Sequence, residues 1–522
     1  MTVGLYQGQA KDILHNSDPF LFNVNEIDFM LLTHAHIDHS GRIPKLYVDG
    51  YRNKIIATKA TCDLCSIMLP DSGHIQETEI EWKNRKRKRE GKEPMPPLYT
   101  AQDALNCLEL FSPVSYDEII EIDENIRVRF NDAGHMLGSS IIEVWITEND
   151  ETKKIVFTGD LGNNDIPLLD SPTMIESADY LVMESTYGNR LHIRNDDKAK
   201  IFLDIVSETL DKGGTVVIPS FAVGRTQEIL YEINKLKEQN KDNDEFQKKY
   251  QTLMHVPVFV DSPLAISATE IFKENMNLFE EDVREQILNG DNPLEFPGLQ
   301  FTKTAEESKS LNEMDKPAII ISASGMCEVG RIKHHLKHNL WNPKSTILFV
   351  GYQAPGTLGR NIVDGAKKVR IFGEEIAVNA RIEYIEGYSG HADQEWLMNF
   401  IYSFTAKRPD HIFLVHGEPE GQRVLKEKII QETKIPVTIP DFGEVYSLEA
   451  MKTINKLVLP NEYRYIRLEI IERLETIKEE IKEMTQIVRD GMLSEDINDE
   501  EIAKLADKIK ALEKQIVNVI ED

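Results

Sequence analysis

The chain has little cysteine and no long apolar run, and these shortages exclude several classes of protein. Cysteine accounts for 4 of the 522 residues, which is too few for a disulfide framework and typical of a reducing compartment. The sequence contains no run of about 18 apolar residues, the length that could span a bilayer. No basic start leads into an apolar core, as it does in a secretory signal peptide. The sequence therefore predicts a cytoplasmic protein without a membrane partner.

Positive charge is also in short supply. The chain carries 60 lysine and arginine residues against 88 aspartate and glutamate residues, for a formal net charge of −28. A protein that coats nucleic acid through its overall charge would be basic, so this balance argues against that class. It is compatible with an enzyme that contacts phosphodiesters locally, through metal ions and a few arginines.

The length and the 41% hydrophobic content predict more than one domain, each with a sizeable core. Apolar runs bounded by glycine and proline alternate with helical segments, a pattern typical of parallel strands buried on both faces. The predicted strands are 29–33, 54–57, 126–132, 140–146, 154–158, 180–184, 215–219, 257–260, 318–322 and 346–351. The predicted fold class is therefore α/β.

The segment 461–522 has a different pattern from the rest of the chain. Its apolar residues recur at spacings of three and four in two arms: Leu474, Ile477, Ile481, Met484 and Val488, then Ile502, Leu505, Ile509, Leu512, Ile516 and Val519. Such a narrow apolar stripe is typical of a coiled coil. Because each arm is short, we expect an antiparallel hairpin or a bundle between subunits rather than a free rod.

The densest group of metal-binding side chains is the segment Thr33-His34-Ala35-His36-Ile37-Asp38-His39, which follows a hydrophobic run. His34 and His36 are two positions apart, so they point the same way in an extended chain. This loop can present two imidazoles to one metal ion, and the Asp38 carboxylate with the His39 imidazole to a second. Imidazole and carboxylate ligands without thiolate are typical of a catalytic zinc site.

Four further segments place a histidine or an aspartate in a turn or at a strand end. The residues concerned are His135, Asp160, His391 and His416. Taken singly, each is more often ordinary turn chemistry. Functional side chains are nevertheless expected at the strand ends of α/β sheets. Together with the first cluster, these segments predict a binuclear metal site.

Two groups of residues resemble the motifs of a known family. The first group resembles the motifs of the metallo-β-lactamase fold and consists of His34, His36, Asp38, His39, His135 and Asp160. The second group resembles the motifs of its β-CASP branch, which processes nucleic acid, and consists of Glu184, His391 and His416. The chain is most similar in appearance to the compact prokaryotic ribonucleases of this branch, relatives of ribonuclease J and of the pre-mRNA 3′-end endonuclease.

The resemblance implies a fold and a domain organisation. The fold is an αββα sandwich with an inserted β-CASP α/β domain and a C-terminal helical tail. The implied boundaries are 1–192 and 376–456 for the two parts of the metallo-β-lactamase domain, 193–375 for the insert and 461–522 for the tail. The tail is also the expected contact of any homo-oligomer.

The resemblance also implies a substrate, single-stranded RNA, and two Zn²⁺ ions per chain. One zinc would be held by His34, His36 and His135. The other would be held by Asp38, His39 and His416, with Asp160 bridging both ions. Zinc lowers the pKa of bound water to about 7, so a hydroxide bridging the two metals would be the nucleophile.

The same resemblance assigns the proton transfer. His391 would protonate the leaving 3′ oxygen as general acid, and Glu184 would orient its ring. Asp38 counts among the catalytic residues as well as among the ligands. Neither an endonuclease nor a 5′ exonuclease mode is favoured.

The start of the chain departs from the family pattern. Family members begin with a β-hairpin and a strand that ends in an Asp-Cys-Gly-like motif. Gly4 matches the glycine of that motif, so Thr2 stands where its aspartate is expected, and the preceding strands are missing. Loss of a carboxylate that supports metal ligands lowers affinity or activity by about 10–100-fold. We therefore expect a weakened site.

Residues in or beside glycine-containing loops of the predicted insert 193–375, called the middle block below, are candidates for RNA contacts: Arg225, Ser324, Gly325, Arg331 and Arg360. The arginines could bind phosphates, and structural ion pairs explain them equally well. The basic run 83–89 could contact the RNA backbone or form a solvated helix end. His334, His335 and His338 are expected on a helix surface or in a core.

Three other functions stay open on the sequence alone. A small-molecule hydrolase is disfavoured, because small-substrate members of the fold lack both the insert and the pair Glu184 and His391. A catalytically dead scaffold would have lost metal ligands, and this chain keeps them. A DNA repair nuclease is not distinguished decisively from a ribonuclease.

The tail yields the first testable prediction. Deleting residues 461–522 should lower the oligomer mass, the melting temperature or both, because the two apolar arms would bury each other or a second copy. Light scattering after size-exclusion chromatography and a thermal melt measure these quantities. Parental values of both for the shortened chain would show that the tail does not self-associate.

Overall fold

The predicted strands are present in a computed structural model of the chain, which describes residues 3–6, 15–163, 166–192, 195–314, 316–385, 389–449 and 452–457, with the backbone alone for 195–197. Thr2 and the predicted tail 461–522 lie outside the described residues. The contacts divide the chain into two units, Met1–Asn455 and Lys456–Asp522. All the predicted site residues belong to the first.

Each predicted strand is confirmed, with ends that differ from prediction by at most three residues. In chain order the strands are β1 Phe29–Leu31, β2 Lys54–Thr58, β3 Phe111–Val114, β4 Ile119–Glu121, β5 Ile126–Asp132, β6 Ser140–Glu148, β7 Glu151–Phe157, β8 Tyr180–Met183, β9 Val216–Pro219, β10 Val258–Val260, β11 Leu299–Phe301, β12 Ile319–Ser322, β13 Thr346–Phe349, β14 Lys368–Ile371, β15 Glu374–Ala377, β16 Arg381–Tyr384, β17 His411–Leu414, β18 Val437–Thr438, β19 Glu444–Ser447 and β20 Lys452–Lys456.

The described helices are α1 Ile37–Ser40, α2 Ile43–Val48, α3 Lys59–Arg89, α4 Ala101–Cys107, α5 Asn195–Asp211, α6 Arg225–Gln239, α7 Asp244–Lys249, α8 Gln251–His255, α9 Pro263–Glu274, α10 Glu281–Leu288, α11 Ala305–Leu311, α12 Ile332–Asn339, α13 Leu358–Val363, α14 Gln394–Tyr402 and α15 Pro419–Thr433. Among the residues described, no helix combines the length and the apolar character needed to cross a membrane.

Two sheets face each other through side chains that alternate along their strands. The larger sheet has the order β18-β17-β8-β7-β6-β5-β4, and the smaller, parallel sheet has the order β1-β2-β3. In β2, Ile56 packs in one cluster with Phe130 of β5 and Ile142 of β6. Its neighbours Ile55 and Ala57 belong to a different cluster, because successive side chains of a strand point to opposite faces.

Helices cover the outer face of each sheet. Leu64 and Met68 of α3 pack in the same cluster as Ile55 of β2. On the other side, Leu397 of α14 and Leu425 of α15 pack in the cluster that contains strands β8 and β17. This layering confirms the expected αββα sandwich. The carboxyl ends of parallel strands β7, β8 and β17 meet at one edge of the larger sheet.

A six-stranded sheet forms the middle of the chain, with the order β11-β10-β12-β9-β13-β16 and parallel pairing throughout. Its strands β9, β10, β12 and β13 are buried along their whole length, as expected for parallel strands covered on both faces. The edge strand β16, Arg381–Tyr384, lies beyond residue 375, at which the insert was expected to end. Phe221, Ser324 and Tyr352 follow the carboxyl ends of β9, β12 and β13, so they lie along one edge.

A buried carboxylate anchors this sheet to its helices. The Asp261 side chain is fully buried and lies 2.6 Å from Arg331 Nη1 and 2.6 Å from His335 Nε2. The hydroxyls of Thr302 and Ser308 donate to its two oxygens at 2.5 and 2.6 Å. Burial by itself would raise the pKa of Asp261, but these hydrogen bonds hold that pKa well below its usual range. His335 is thus a core histidine, one of the two predicted settings.

This network gives the second prediction. Asp261→Asn should lower the free energy of unfolding at neutral pH by about 3–5 kcal/mol, the cost of breaking a buried charged pair. Because the folded-state pKa is depressed below the unfolded value of about 3.9, the carboxylate's contribution is fully present above that pH and is lost as pH falls. Chemical denaturation at several pH values measures the difference.

A matched control is Asp364→Asn, because Asp364 also pairs with an arginine but is half exposed. Its effect should be within about 0.5 kcal/mol, as for other exposed pairs. Equal losses in the two variants would contradict a stabilising role for the buried network.

Candidate metal centre

The loop after β1 carries the first four candidate ligands. His34 and His36 precede α1, and Asp38 and His39 lie inside this short helix. The Ser40 hydroxyl donates to the Ala35 carbonyl at 2.8 Å, which folds the loop back on itself. Two imidazoles therefore leave an extended segment and the other two side chains leave a helical turn, as the spacing predicted.

Two backbone hydrogen bonds attach the segment 3–6 to this loop. Leu5 N–H donates to Ile37 O at 2.9 Å, and Arg42 N–H donates to Val3 O at 2.7 Å. Gly4 lies so close to the loop that a Cβ there would come within 1.4 Å of Asp38 O. Only glycine fits this approach, which agrees with its match to the family's glycine.

The other candidate ligands follow strands of the larger sheet. His135 lies in the turn between β5 and β6, and Asp160 comes three residues after β7. His416 follows β17 and has a positive φ of 48°. A non-glycine residue in that region is strained by about 1–3 kcal/mol and is often found at functional sites.

All the predicted ligands converge around Asp160. One group that could hold a metal ion contains His34, His36, His135 and Asp160, and another contains Asp38, His39 and His416. Asp160 Oδ2 lies 3.5 Å from His34 Nε2, 3.2 Å from His39 Nε2 and 3.6 Å from His135 Nε2. Its Oδ1 lies 3.5 Å from His416 Nδ1. The carboxylate thus stands between the two groups.

Unpaired buried atoms show that a cation suits this arrangement. Within the part of the chain described, His34 Nε2, His39 Nε2 and both Asp160 oxygens are buried without a hydrogen-bond partner. Such atoms are costly unless something binds them. Nitrogen and carboxylate donors at these positions match the preferences of zinc.

Hydrogen bonds on the outer side of the rings aim the histidines inward. Thr33 Oγ1 lies 3.1 Å from His34 Nδ1, and Gly390 O lies 2.9 Å from His135 Nδ1. Fixing one ring nitrogen in this way leaves the other to bind a metal. Thr33 stands directly before the ligand candidate His34, and this position was the signal from which its role could have been predicted.

Burial also sets the charge of the ligands. Desolvation lowers the pKa of both His34 and His36 to about 3, so both rings are neutral and able to bind metal at neutral pH. For Asp160, burial alone would raise the pKa, but His39, His416 and His34 hold it well below its ordinary value. The carboxylate is therefore ionised.

Glu184 and His391 form the predicted pair beside these ligands. His391 Nδ1 lies 3.2 Å from Glu184 Oε1. Glu184 is held in turn by the N–H groups of Leu161 at 2.7 Å and Thr186 at 3.2 Å. Burial would lower the pKa of His391, but the Glu184 carboxylate raises it above its ordinary value.

His391 is also close enough to the ligands to be counted with them. It forms a third possible metal group with Asp160 and His416, and its ring centroid lies 4.5 Å from that of His135. His192, which was not among the predicted site residues, also lies here, with its Nε2 3.0 Å from His391 O. The geometry places His391 beside the ligands and does not assign it a role as metal ligand or as general acid.

The candidate RNA contacts have partners outside this cluster of ligands. Arg225 pairs with Glu228, Arg331 with Asp261 and Arg360 with Asp364, so the ion-pair alternative describes all three arginines. The Ser324 hydroxyl bonds to Val329 O at 3.2 Å. A Cβ on Gly325 would come within 3.0 Å of the Phe221 ring. The basic run 83–89 forms the exposed end of α3.

Two family models match the chain. The β-CASP domain model matches residues 226–362. A model described as the RNA specificity domain of Zn-dependent metallo-hydrolases matches residues 375–440. The first match falls within the middle block of the chain, and the second includes His391 and His416.

Similar whole proteins cover most of the chain. A ribonuclease of Thermus thermophilus is 34% identical over 441 residues, which is 84% of this chain and 92% of the relative. The chain belongs to the β-CASP family of metallo-β-lactamase-fold nucleases. This β-CASP protein is also 32% identical to an RNase J-like protein of Methanocaldococcus jannaschii, over 80% of the chain and 88% of the relative.

A longer relative is named for a different role. The transcription termination factor FttA of Methanocaldococcus jannaschii is 32% identical over 76% of this β-CASP chain. The match spans 59% of FttA.

As a member of this family the chain is a hydrolytic nuclease with a zinc cofactor, and the expected αββα fold with its β-CASP insert is confirmed.

The central position of Asp160 gives the third prediction. Asp160→Ala should reduce bound zinc to traces, because it removes the one carboxylate that lies between both groups of donors. Elemental analysis of protein purified without chelator measures the zinc per chain, and the parent protein should contain two ions. Asp364→Ala, a change at an exposed aspartate, should keep the parental zinc content. Full zinc retention by Asp160→Ala would contradict the assignment.

Proposed function

We propose that this chain is a zinc-dependent ribonuclease that hydrolyses phosphodiester bonds in single-stranded RNA with two zinc ions per chain. The observation that supports it best is the convergence of imidazole and carboxylate donors around Asp160, whose buried oxygens have no partner among the described residues. The names of the Thermus and Methanocaldococcus relatives support the choice of RNA.

The proposed ligands divide into two sets. His34, His36 and His135 would hold one zinc. Asp38, His39 and His416 would hold the other, with Asp160 shared. When bound, zinc supplies Lewis-acid stabilisation of a phosphate and lowers the pKa of a water molecule. The chain's own contribution is to keep His34 and His36 neutral and Asp160 ionised, and to fix the directions of the donors.

His391 is the proposed general acid. Its Nδ1 faces Glu184, which leaves Nε2 to carry the proton toward the substrate. Hydrolysis breaks the bond between phosphorus and the leaving 3′ oxygen, and water supplies the new oxygen on phosphorus. The leaving oxygen takes its proton from His391 Nε2, and Glu184 keeps the ring oriented.

The middle block would form the other wall of a channel for an extended strand. Its Tyr352 hydroxyl donates to Glu418 Oε1 at 3.1 Å, two residues after His416, so it approaches the proposed metal site. We keep 1–192, 193–375 and 376–456 as the proposed division of this part of the chain.

Asp38 is 43% exposed, and we also propose it as a catalytic residue that faces the substrate.

The division of roles between His391 and His416 gives the fourth prediction. His391→Ala should keep the parental zinc content and slow cleavage by about 10²–10⁴-fold, the usual effect of removing a positioned proton donor. His416→Ala should lose zinc as well as activity. Elemental analysis and cleavage of one RNA labelled at either end, with a DNA of matched sequence beside it, provide the measurements.

Three outcomes would contradict this proposal in different ways. Equal zinc loss in the two variants would make His391 a ligand. Cleavage at the parental rate by His391→Ala would remove its role as acid. A parent protein that cleaves the DNA and leaves the RNA intact would overturn the proposed substrate.

A further inference from the structure

Arg190 is an exposed cation beside the proposed active site and has no part in the mechanism proposed above. Its guanidinium lies over the Tyr187 ring, 5.1 Å from the centroid. The Tyr187 ring in turn meets His391 edge-on, with centroids 6.1 Å apart. Among the described residues, no carboxylate lies within 4.0 Å of this guanidinium, whereas Arg225, Arg331 and Arg360 are all paired. Arg190 is therefore free to bind an anion.

The backbone around Arg190 is fixed to the segment that carries His391. Tyr187 and Asp393 form a parallel β-bridge, and Gln394 N–H donates to Arg190 O at 3.0 Å. His192 N–H donates to Asp393 Oδ2 at 3.1 Å. Two neighbouring segments joined at three points hold Arg190 at a set place relative to His391. Such preorganisation is what a binding side chain near a reacting group requires.

Tyr352 approaches the proposed site from the middle block, through its contact with Glu418. Burial and then Glu418 raise the pKa of Tyr352, and Tyr187 and Arg190 are both near enough to act on it. The Tyr352 ring is 37% exposed, and its hydroxyl is anchored on Glu418. Phe221, also 37% exposed, follows the neighbouring strand. Exposed rings held by a rigid edge are the usual platforms for nucleobases.

We infer that Arg190 and Tyr352 form a nucleotide subsite beside His391, in which Arg190 binds a backbone phosphate and the Tyr352 ring stacks on the adjoining base. The inference rests on the proposed ribonuclease function. A guanidinium binds phosphate through two parallel N–H donors, and the cation–π contact with Tyr187 limits the conformations of the side chain. In an acidic chain this local pairing supplies attraction for RNA that the net charge does not.

The test compares KM and kcat on a fluorescent single-stranded oligoribonucleotide at several salt concentrations. Arg190→Ala should raise KM by roughly 10-fold or more, the usual effect of losing a charged hydrogen bond. It should also reduce the slope of log KM against log salt by about 0.7, as expected for one lost phosphate contact on a single strand. Arg190→Lys should keep the slope and recover part of the affinity, because a lysine keeps the charge without the planar fork.

The stacking contact has its own pair of variants. Tyr352→Ala should raise KM by roughly 5–100-fold, the range for one base stacked on an aromatic ring, with an unchanged salt slope. Tyr352→Phe keeps the ring and should stay near the parental KM. Zinc content and melting temperature should be parental in all four variants, which separates lost binding from a damaged site.

Arg408→Ala is the matched control, because Arg408 is exposed and unpaired within the described residues. It should leave KM and the salt slope unchanged. An Arg190→Ala enzyme with the parental KM and slope, or one no worse than Arg408→Ala, would overturn the inference while the ribonuclease proposal stands. Should Arg190→Ala fail to fold, a parental KM for Tyr352→Ala would overturn it. A parent protein that cleaves no RNA overturns the proposed function and this inference together.

Discussion

A buried carboxylate surrounded by imidazoles is the interaction on which the site depends. Moving an ionised aspartate out of water costs several kcal/mol unless opposite charge or hydrogen bonds replace the solvent. At Asp160 that replacement is the charge of rings contributed by separate loops, and His39 and His416 hold its pKa low. Each loop must therefore end at the right place for the carboxylate to stay ionised, and the sheets determine those places.

The two sheets meet this requirement through the direction of their strands. Parallel strands such as β7, β8 and β17 bring their carboxyl ends to one edge, so residues far apart in the chain become neighbours there. Asp160, Glu184 and His416 follow these three strands in that order. The rings are then oriented by groups outside the metal cluster, for example Thr33 for His34 and Gly390 for His135.

Arginines illustrate how the same residue type serves opposite purposes. Arg331 lies against the buried carboxylate Asp261 and so belongs to the folded core of the middle block. Arg190 is exposed and lies over an aromatic ring without a carboxylate partner among the described residues. The two arginines differ in the side chains that surround them in the fold. The local sequence around either arginine does not display this difference. Asp261 is 70 positions from Arg331 in the chain.

Local pattern was enough to predict the α/β class, ten of the twenty described strands and the candidate ligand side chains, because strand periodicity and ligand chemistry are properties of short segments. The family resemblance supplied the αββα arrangement and the insert. Tertiary structure alone decided which distant side chains meet: the Asp261 network and the contact of Tyr352 with Glu418. The pairs of Arg225 and Arg360 are different, because sequence could have resolved both: Glu228 and Asp364 each lie one helical turn away. Long-range contacts depend on how strands are ordered in a sheet, and no local spacing encodes that order.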